Sequence, residues 1–290
     1  MAALSCYRAF GLNIASEFEI PGGIRVAPPV SDPDIVITAG DTSIGAVDAV
    51  NGPYTRNGNA LLFDAAGVAR YYAPSPDQLF VEPYPGANAL HVAELLIATA
   101  LPMLMWMRGG IVLHAAGIVP AGMEQAIAIA GPSGIGKSTL AEGLLDASGR
   151  LVGDDSLWLT MKGDTPIVSG LSAILHKSDG SVAPRTEIAI PSQSQGETAQ
   201  LAAIIVLRVA DENTQPSTNR LQGTNALEAL LKNRHRPKIP AILGREAALL
   251  PQTILHCRTL PIYEFTMQKG DVAGSQHHIS SMILDDFRSV

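Results

Sequence analysis

Residues 131–139 read Gly131-Pro132-Ser133-Gly134-Ile135-Gly136-Lys137-Ser138-Thr139 and decide the fold class of this 290-residue chain. They fit G-x-x-x-x-G-K-[ST] at every fixed position and directly follow the apolar run 126–130. In such a loop, backbone N–H groups converge on nucleotide phosphates, the lysine reaches the outer phosphates, and the serine hydroxyl binds Mg²⁺. A helix over 138–145 would point its N-terminal dipole at the same anion. The stretch therefore predicts a nucleoside triphosphate site between a strand and a helix.

The predicted site residues follow from this pattern. The expected nucleotide-binding residues are Gly131, Ser133, Gly134, Ile135, Gly136, Lys137, Ser138 and Thr139. Ser138 is also a predicted Mg²⁺ ligand.

Composition limits the class of protein. Apolar residues make up 47% and charged residues 16%, as in a soluble globular protein, and the net charge of −7 argues against a general nucleic-acid binder. Two distant cysteines, Cys6 and Cys257, in a chain without a signal-peptide pattern lead us to expect the cytoplasm. The apolar run 95–107 is shorter than the ~20 residues that span a bilayer, so it predicts a buried helix and no membrane partner.

Turn and strand patterns predict two regions. Short strand-forming runs at 35–38, 60–63 and 78–81 alternate with Pro/Gly/Asn turns, which predicts a β-rich N-terminal module over 1–90 that packs on the rest or recognises a partner. Residues 91–290 then form the second predicted region, a domain that carries the loop. Its expected elements are a helix at 88–107, strands at 111–114, 202–207 and 261–265, and helices near 225–233 and 277–288.

Two adjacent acids are the strongest catalytic candidates. Asp154 and Asp155 end the first strand after the loop helix, 17 and 18 positions beyond Lys137. Carboxylates at strand ends can meet both the Mg²⁺ and the γ-phosphate, and phosphoryl transfer uses a metal-holding acid and often a base. Neighbours on a strand point to opposite faces unless the backbone turns. At least one of the pair is expected to be catalytic, the alternative being a turn or helix-cap residue.

Other polar residues leave two interpretations open. His114 ends a strand expected to neighbour the loop strand, and it is either a core histidine or part of the site. The basic cluster 234–236, with Lys232 and Lys238, either clamps a phosphate or forms a solvated loop, and the loop is favoured. Arg185 is equally open. His277-His278 lies in an expected helical tail with no other metal ligand nearby in sequence, and Asp285-Asp286 in the same tail is most simply a solvated face.

Three linked motifs resemble the HPr kinase/phosphorylase superfamily. These are 108–116, 131–139 and 150–155, in the order and spacing typical of that family. The segments 7–16 and 260–265 resemble the HPr-kinase-like proteins encoded beside lasso-peptide biosynthesis genes, which phosphorylate the C-terminal serine of a precursor peptide. The resemblance implies an α/β P-loop kinase core with a mixed sheet, of the HPr kinase and phosphoenolpyruvate carboxykinase type.

The resemblance also implies roles for individual residues. It makes Lys137 and Ser138 phosphate and Mg²⁺ ligands, and Asp154 and Asp155 the metal-associated and acid/base carboxylates, with Asp155 preferred as the base. It gives His114 a place in the active site. The chain departs from the HPr kinases proper at 168–175, where their glycine-rich motif is missing. HPr as substrate, phosphorylase activity and a hexamer are therefore not expected to carry over.

The leading hypothesis is an ATP- and Mg²⁺-dependent serine kinase acting on a peptide or small protein, with a lasso precursor peptide as the first candidate. One alternative is a small-molecule kinase of the shikimate or gluconate type, although here about 125 residues precede the loop strand. Another is a nucleotide-dependent binding module without phosphotransfer. The sequence leaves ATP against GTP and the oligomeric state open.

Overall fold

The structure is a computed structural model of the chain. It describes residues 4–28, 30–145, 148–177, 186–210 and 216–268, together with positions 274, 277–279 and 281.

A sheet of nine described strands forms the N-terminal part of the chain. The strands are β1 (Ser5–Ala9), β2 (Leu12–Ser16), β3 (Ile24–Val26), β4 (Ile35–Ala39), β5 (Ala49–Asn51), β6 (Tyr54–Asn57), β7 (Ala60–Ala65), β8 (Ala69–Ser75) and β9 (Gln78–Pro83). Their spatial order is β3-β1-β2-β4-β9-β8-β7-β6-β5, with β4 parallel to β2 and β9 and the other pairs antiparallel. Alternate residues of β8, such as Tyr71, are buried, because successive side chains of a strand face opposite sides. The predicted strands at 35–38, 60–63 and 78–81 are confirmed.

A long buried helix follows this sheet. It consists of α1 (Ala89–Leu95), a π-helical segment (Leu96–Ala100) and α2 (Leu101–Arg108). By length and composition alone, Ala89–Arg108 could cross a membrane, but 72% of its most apolar stretch is buried inside the protein. Its side chains, including the fully buried Trp106, belong to the main hydrophobic core. The predicted buried helix at 88–107 is therefore present, with a widened turn that the sequence pattern did not indicate.

The second sheet carries the loop motif. Its described strands are β10 (Ile111–Leu113), β11 (Ala115–Val119), β12 (Ala126–Ala130), β13 (Arg150–Gly153), β14 (Leu157–Lys162), β15 (Thr165–Ser169), β18 (Thr198–Ala210), β19 (Ser217–Leu221) and β20 (Ile262–Gln268). A separate hairpin consists of β16 (Ile174–Lys177) and β17 (Thr186–Ala189). The remaining helices are α3 (Lys137–Leu144), α4 (Gly223–Lys232), α5 (Lys238–Ile242), α6 (Glu246–Thr259) and a 3₁₀ turn at Ser192–Ser194.

Strand directions bring the sequence motifs to one edge of this sheet. The loop strand β12 runs parallel to β18 and antiparallel to β11, and β11 runs antiparallel to β13. Hence β12 and β13 point the same way and end at the same edge, where β11 begins. The sheet is mixed, as predicted, and the α/β class is confirmed.

One strand pairing differs from the sequence-based prediction. The strand at 111–113 pairs with β14, not with the loop strand. The neighbour of the loop strand is β11, whose Ala115 pairs with Ala130. His114 lies between β10 and β11, so it reaches the loop as the residue that precedes β11. The error arose because the single polar residue between two apolar runs did not indicate a break into two strands.

The two sheets are in contact. The backbone N–H of Phe10 donates to the carbonyl of Gly170 (2.9 Å), and the Arg8 guanidinium lies 2.6 Å from the Glu197 carboxylate. One hydrophobic core cluster contains residues from both sheets and from the long helix. The N-terminal module therefore packs against the rest of the chain, and its division from it at residue 90 stays a prediction.

Candidate active site

The loop between β12 and α3 has the backbone conformation of a phosphate cradle. Gly134 and Gly136 have φ values of 78° and 106°, a region that residues with a Cβ rarely adopt. Gly136 is the N-cap of α3, so the helix begins directly at the loop, and its first N–H groups have no acceptor one turn earlier in the helix itself. A strand, a glycine-bearing loop and a helix N-terminus together form an anion site.

The loop lysine is folded back onto its own loop. Nζ of Lys137 donates to the carbonyls of Gly131 (2.9 Å) and Pro132 (3.0 Å) and lies 2.8 Å from Nε2 of His114. The lysine is only 6% exposed. An incoming phosphate would replace these carbonyl acceptors with a charged one, which forms stronger hydrogen bonds.

Ser138 and Asp154 form the pair expected of a metal site. Oγ of Ser138 lies 3.0 Å and 3.1 Å from the two carboxylate oxygens of Asp154, which also accepts the backbone N–H of His176 at 2.8 Å. Asp154 is 3% exposed. A hydroxyl and a carboxylate are hard oxygen donors of the kind that Mg²⁺ prefers, so the residues present fit this ion.

A backbone turn separates the two adjacent carboxylates. Asp155 has φ of 68°, one of three described non-glycine residues with positive φ. Because of this turn, Asp154 faces Ser138, whereas Asp155 lies beside His114, with Oδ1 3.6 Å from Nδ1. Backbone strain of this kind is common at functional sites. Neighbours on a regular strand point to opposite faces, but this turn lets both carboxylates reach the same end of the sheet.

His114 connects the lysine to the backbone of Asp155. An ammonium can only donate, so Nε2 of His114 accepts from Lys137 and Nδ1 carries the ring proton. Nδ1 donates that proton to the backbone carbonyl of Asp155 at 3.0 Å. The structure thus places His114 between Lys137 and Asp155, although its role remains a prediction.

A second histidine, His235, supports this arrangement. Its ring centroid lies 5.7 Å from that of His114, and Nε2 lies 2.9 Å from the carbonyl of Ala98 in the π-helical segment. A π-helical turn interrupts the regular i to i−4 hydrogen bonds, which leaves such a carbonyl open to a side chain. Burial lowers the pKa of His235 to about 4, so the ring is neutral at neutral pH. One ligand atom from each of His114, Asp155 and His235 fits within a 4.8 Å cluster that could also hold a metal ion.

The basic cluster lies on the phosphate side of the site. A cavity of about 790 Å³ extends from the loop, and Lys232, Arg234 and Arg236 line it together with Arg208. Leu113 forms a β-bridge with Arg234, and the N–H of His235 donates to the carbonyl of Val112. We call this space the basic cavity. The sequence favoured a solvated loop for 234–236; Arg236 is exposed, whereas His235 is buried, and pairing with the edge of β10 brings the segment to the site.

The basic side chains of this cavity differ in their ion-pair and hydrogen-bond partners. Arg234 lies 2.5 Å from Glu246, and Lys232 lies 2.6 Å from Glu228 one helical turn away. Nε of Arg236 donates to the carbonyl of Ala98. Arg208 was missed in the sequence, although it follows the β18 stretch that pairs in parallel with the loop strand, which was the available signal.

A second cavity opens on the other side of the carboxylates. It measures about 320 Å³ and lies between α1 and the β16–β17 hairpin. Its polar lining comprises His91, Glu94, Asp154, Asp155, Ser156, His176 and Glu187. We call it the acceptor cleft. Asp155 lines both this cleft and the basic cavity, so one carboxylate stands where the two spaces meet.

The acceptor cleft contains a histidine among acids. Nδ1 of His176 lies 3.7 Å from Asp154, and Nε2 lies 4.0 Å from Glu187. Burial lowers the pKa of His176, but the carboxylates of Asp154, Asp155 and Glu187 outweigh burial, and the net shift is upward. Sequence reasoning missed His176 because nothing in its own segment indicated that a hairpin lies against the acids.

The structure places the remaining candidate residues in different surroundings. Ser133, Gly134, Gly136, Ser138 and Thr139 line the small space beside Asp154, while Ile135 packs against the hydrophobic cluster on the α3 side of the sheet. His278 stacks on Phe265 and bonds Thr218, as a packing residue. Arg185 and Asp285-Asp286 lie outside the described residues, as does most of the helix predicted at 277–288.

The fold and the loop define a mixed α/β protein with a strand–loop–helix anion site. No protein-family model matches the chain, and no curated protein sequence matches it. Among solved structures, it is similar to the HPr(Ser) kinase/phosphatase from Coxiella burnetii, with a TM-score of 0.38 and 14% sequence identity over 60% of this chain and 96% of that chain.

Proposed function

We propose that the chain is an ATP- and Mg²⁺-dependent kinase that phosphorylates a serine hydroxyl of a peptide or small protein. The observation that carries the proposal is the position of Asp155, which lines both the phosphate-loop side and the acceptor cleft. A base in that position can accept a proton from a hydroxyl in one space while the phosphoryl group arrives from the other.

The donor side would hold the nucleotide. Its phosphates would lie in the loop at the start of α3, with Lys137 turning from His114 and the loop carbonyls to the outer phosphates. Ser138 and Asp154 would hold Mg²⁺, which when bound offsets negative charge on the phosphates. The basic cavity adds positive charge on the same side.

The acceptor side would supply the hydroxyl. Its oxygen forms the new bond to the γ-phosphorus, the bond to the β–γ bridging oxygen breaks, and the hydroxyl proton moves to the Asp155 carboxylate. The products are ADP and a phosphoserine. His114 holds the backbone of Asp155 through Nδ1, and so acts as a positioning residue.

Mass spectrometry of purified protein with ATP, Mg²⁺ and serine peptides tests the proposal. The expected result is a gain of one phosphate on a peptide, and the first acceptor to test is the C-terminal serine of a lasso precursor peptide, on the strength of the sequence resemblance. Turnover of metabolites but of no peptide would favour a small-molecule kinase. Nucleotide binding without any phosphotransfer would favour a binding module.

A further inference from the structure

We infer that the substrate carries a positive charge beside its acceptor hydroxyl, in the form of a lysine or arginine side chain flanking the serine. The inference rests on the proposed kinase function, since it names the class of peptide that the acceptor cleft takes. It concerns chiefly Glu94 and Glu187, two carboxylates of the cleft that the phosphoryl transfer itself does not use.

The charged side chains that line the acceptor cleft are mostly acidic. Four carboxylates line it, from Glu94, Asp154, Asp155 and Glu187, and its described lining has no lysine or arginine. Asp154 faces Ser138 and would hold Mg²⁺, so the carboxylates left to face a substrate are those of Glu94, Asp155 and Glu187. The C-terminal serine named above as the first acceptor to test brings a carboxylate close to the reacting hydroxyl and would meet like charges there, so the charge of the cleft favours a cationic segment with an internal serine.

The basic cavity, on the other side of Asp155, is lined mostly by positively charged side chains. The basic cavity contains Arg208, Lys232, Arg234 and Arg236, against Glu264 and the shared Asp155. Among the described residues that line the two cavities, lysine and arginine occur only on the side of the phosphate loop, and three of the four cleft carboxylates belong to the acceptor cleft and not to the basic cavity. This separation matches an anionic donor on one side and a cationic acceptor on the other.

The dimensions and the walls of the acceptor cleft favour a peptide segment. A volume of about 320 Å³ is at the lower end of ligand sites and fits one or two side chains. Ile97 and Leu171 line it beside the carboxylates and could pack against the aliphatic stem of a lysine or arginine. Glu94 on α1 and Glu187 on β17 are exposed, so they can meet the charged head of such a side chain.

The test compares peptides that differ only beside one serine. The flanking residue is lysine, alanine or glutamate, and a further pair has the serine at the C-terminus as a free carboxylate or as an amide. Binding is measured by calorimetry with a non-hydrolysable ATP analogue and Mg²⁺, and turnover is measured with ATP. We expect the lysine peptide to bind about tenfold more tightly than the glutamate peptide, with a smaller ratio at high salt, and the amide to bind more tightly than the carboxylate.

Charge variants connect this preference to the acceptor cleft. Glu94→Gln and Glu187→Gln should each weaken binding of the lysine peptide about threefold, with little change for the alanine peptide. The double variant Glu94→Lys/Glu187→Lys should reverse the preference toward the glutamate peptide. Glu124→Gln is the matched control, because Glu124 is an exposed residue just before β12, at the end of that strand away from the loop.

The possible outcomes separate the two proposals. Equal binding of the lysine and glutamate peptides, tighter binding of the glutamate peptide, or no peptide binding at all would overturn the inference. A lysine preference that survives both glutamate substitutions would also overturn it. A lysine preference in binding that depends on Glu94 and Glu187, with no phosphate transferred from ATP, would uphold the inference and overturn the kinase proposal.

Discussion

Oγ of Ser138 lies 3.0 Å from Oδ1 of Asp154, although 16 residues separate them along the chain. The two sit at the start of α3 and just after β13, so the pair joins the loop to the carboxylate strand. In phosphate-loop proteins, a Ser or Thr and an acid in these positions hold the Mg²⁺ of the bound nucleotide.

Replacing Asp154 should therefore separate nucleotide binding from metal use. We expect Asp154→Asn to abolish the Mg²⁺-dependent increase in ATP affinity and to lower turnover by at least about 100-fold, because an amide is a poor ligand for Mg²⁺. Titration of a fluorescent ATP analogue with and without Mg²⁺ measures this. Ser138→Ala should show the same pattern more weakly, and an undiminished Mg²⁺ effect in both variants would contradict the assignment.

Asp155→Asn should remove the base while it leaves nucleotide binding intact. Asparagine tolerates the positive φ of this position, so the backbone should be retained, whereas alanine would add strain. Loss of a general base typically lowers the rate by about 10²- to 10⁴-fold, and we expect kcat to fall in this range with an unchanged Kd for ATP. Asp164→Asn, in the exposed turn between β14 and β15, is the matched control. Comparable kcat in Asp155→Asn and wild type would rule out the role.

Lys137→Ala should weaken ATP binding without unfolding the protein. The lysine has three acceptors on its own loop and on His114, which places its ammonium beside the phosphate cradle. We expect a 10- to 100-fold loss of ATP affinity, in keeping with about 1.5–3 kcal/mol for hydrogen bonds to charged groups. Calorimetric titration measures it, and circular dichroism checks the fold. If Lys137→Ala kept the wild-type affinity for ATP, Lys137 would not contact the phosphates and would bind only its own loop and His114.

Gly153 should tolerate no larger residue. A Cβ on Gly153 would lie 2.8 Å from Cα of Gly170, a distance that requires the backbone to shift. We expect Gly153→Ala to lower the free energy of unfolding by about 1–3 kcal/mol and to lower turnover as well, since Asp154 is the next residue. Urea unfolding with parallel activity assays tests both effects. A variant with wild-type stability and turnover would show that the two strands separate easily.

Stability should fall as the pH is lowered from about 6.5 toward 4. Burial lowers the pKa values of His235 and His256 to about 4, against 6.5 for an unperturbed histidine. Between these values the unfolded chain binds protons that the folded chain does not, so acid favours unfolding. For His235, this amounts to about 3 kcal/mol when the pH reaches 4.

Urea unfolding at several pH values between 4 and 7 measures this loss. His256→Gln should make the decline less steep while it leaves the active site in place, because His256 lies on α6 outside both cavities. An identical pH dependence in His256→Gln and in wild type would contradict the contribution of this histidine.

The sequence predicted the local features of the site better than its long-range ones. The loop at 131–139 has a fixed spacing that only a strand, a turn and a helix satisfy, and Asp154 and Asp155 follow an apolar run that ends in a turn. These signals lie within short windows. His176, Arg208 and the position of 234–236 depend on strand pairing and on a hairpin lying against the acids, which no local pattern encodes.

The same reasoning explains why the wrong neighbour was predicted for the strand before His114. Two apolar runs separated by one polar residue look like a single strand, because periodicity does not show where a chain changes its partner. Only the pairing of Ala115 with Ala130 and of Val112 with Trp158 distinguishes β10 from β11.

The antiparallel strand β11 acts as a spacer between the loop and the carboxylates. Two strand separations of about 4.8 Å set the lateral distance between β12 and β13, and the loop, His114 and the two aspartates each follow or precede one of these three strands. The connection between β11 and β12 lies at the opposite edge. Insertions at residues 120–125 should therefore be tolerated, whereas a single residue added within β11 would turn His114 away from Lys137.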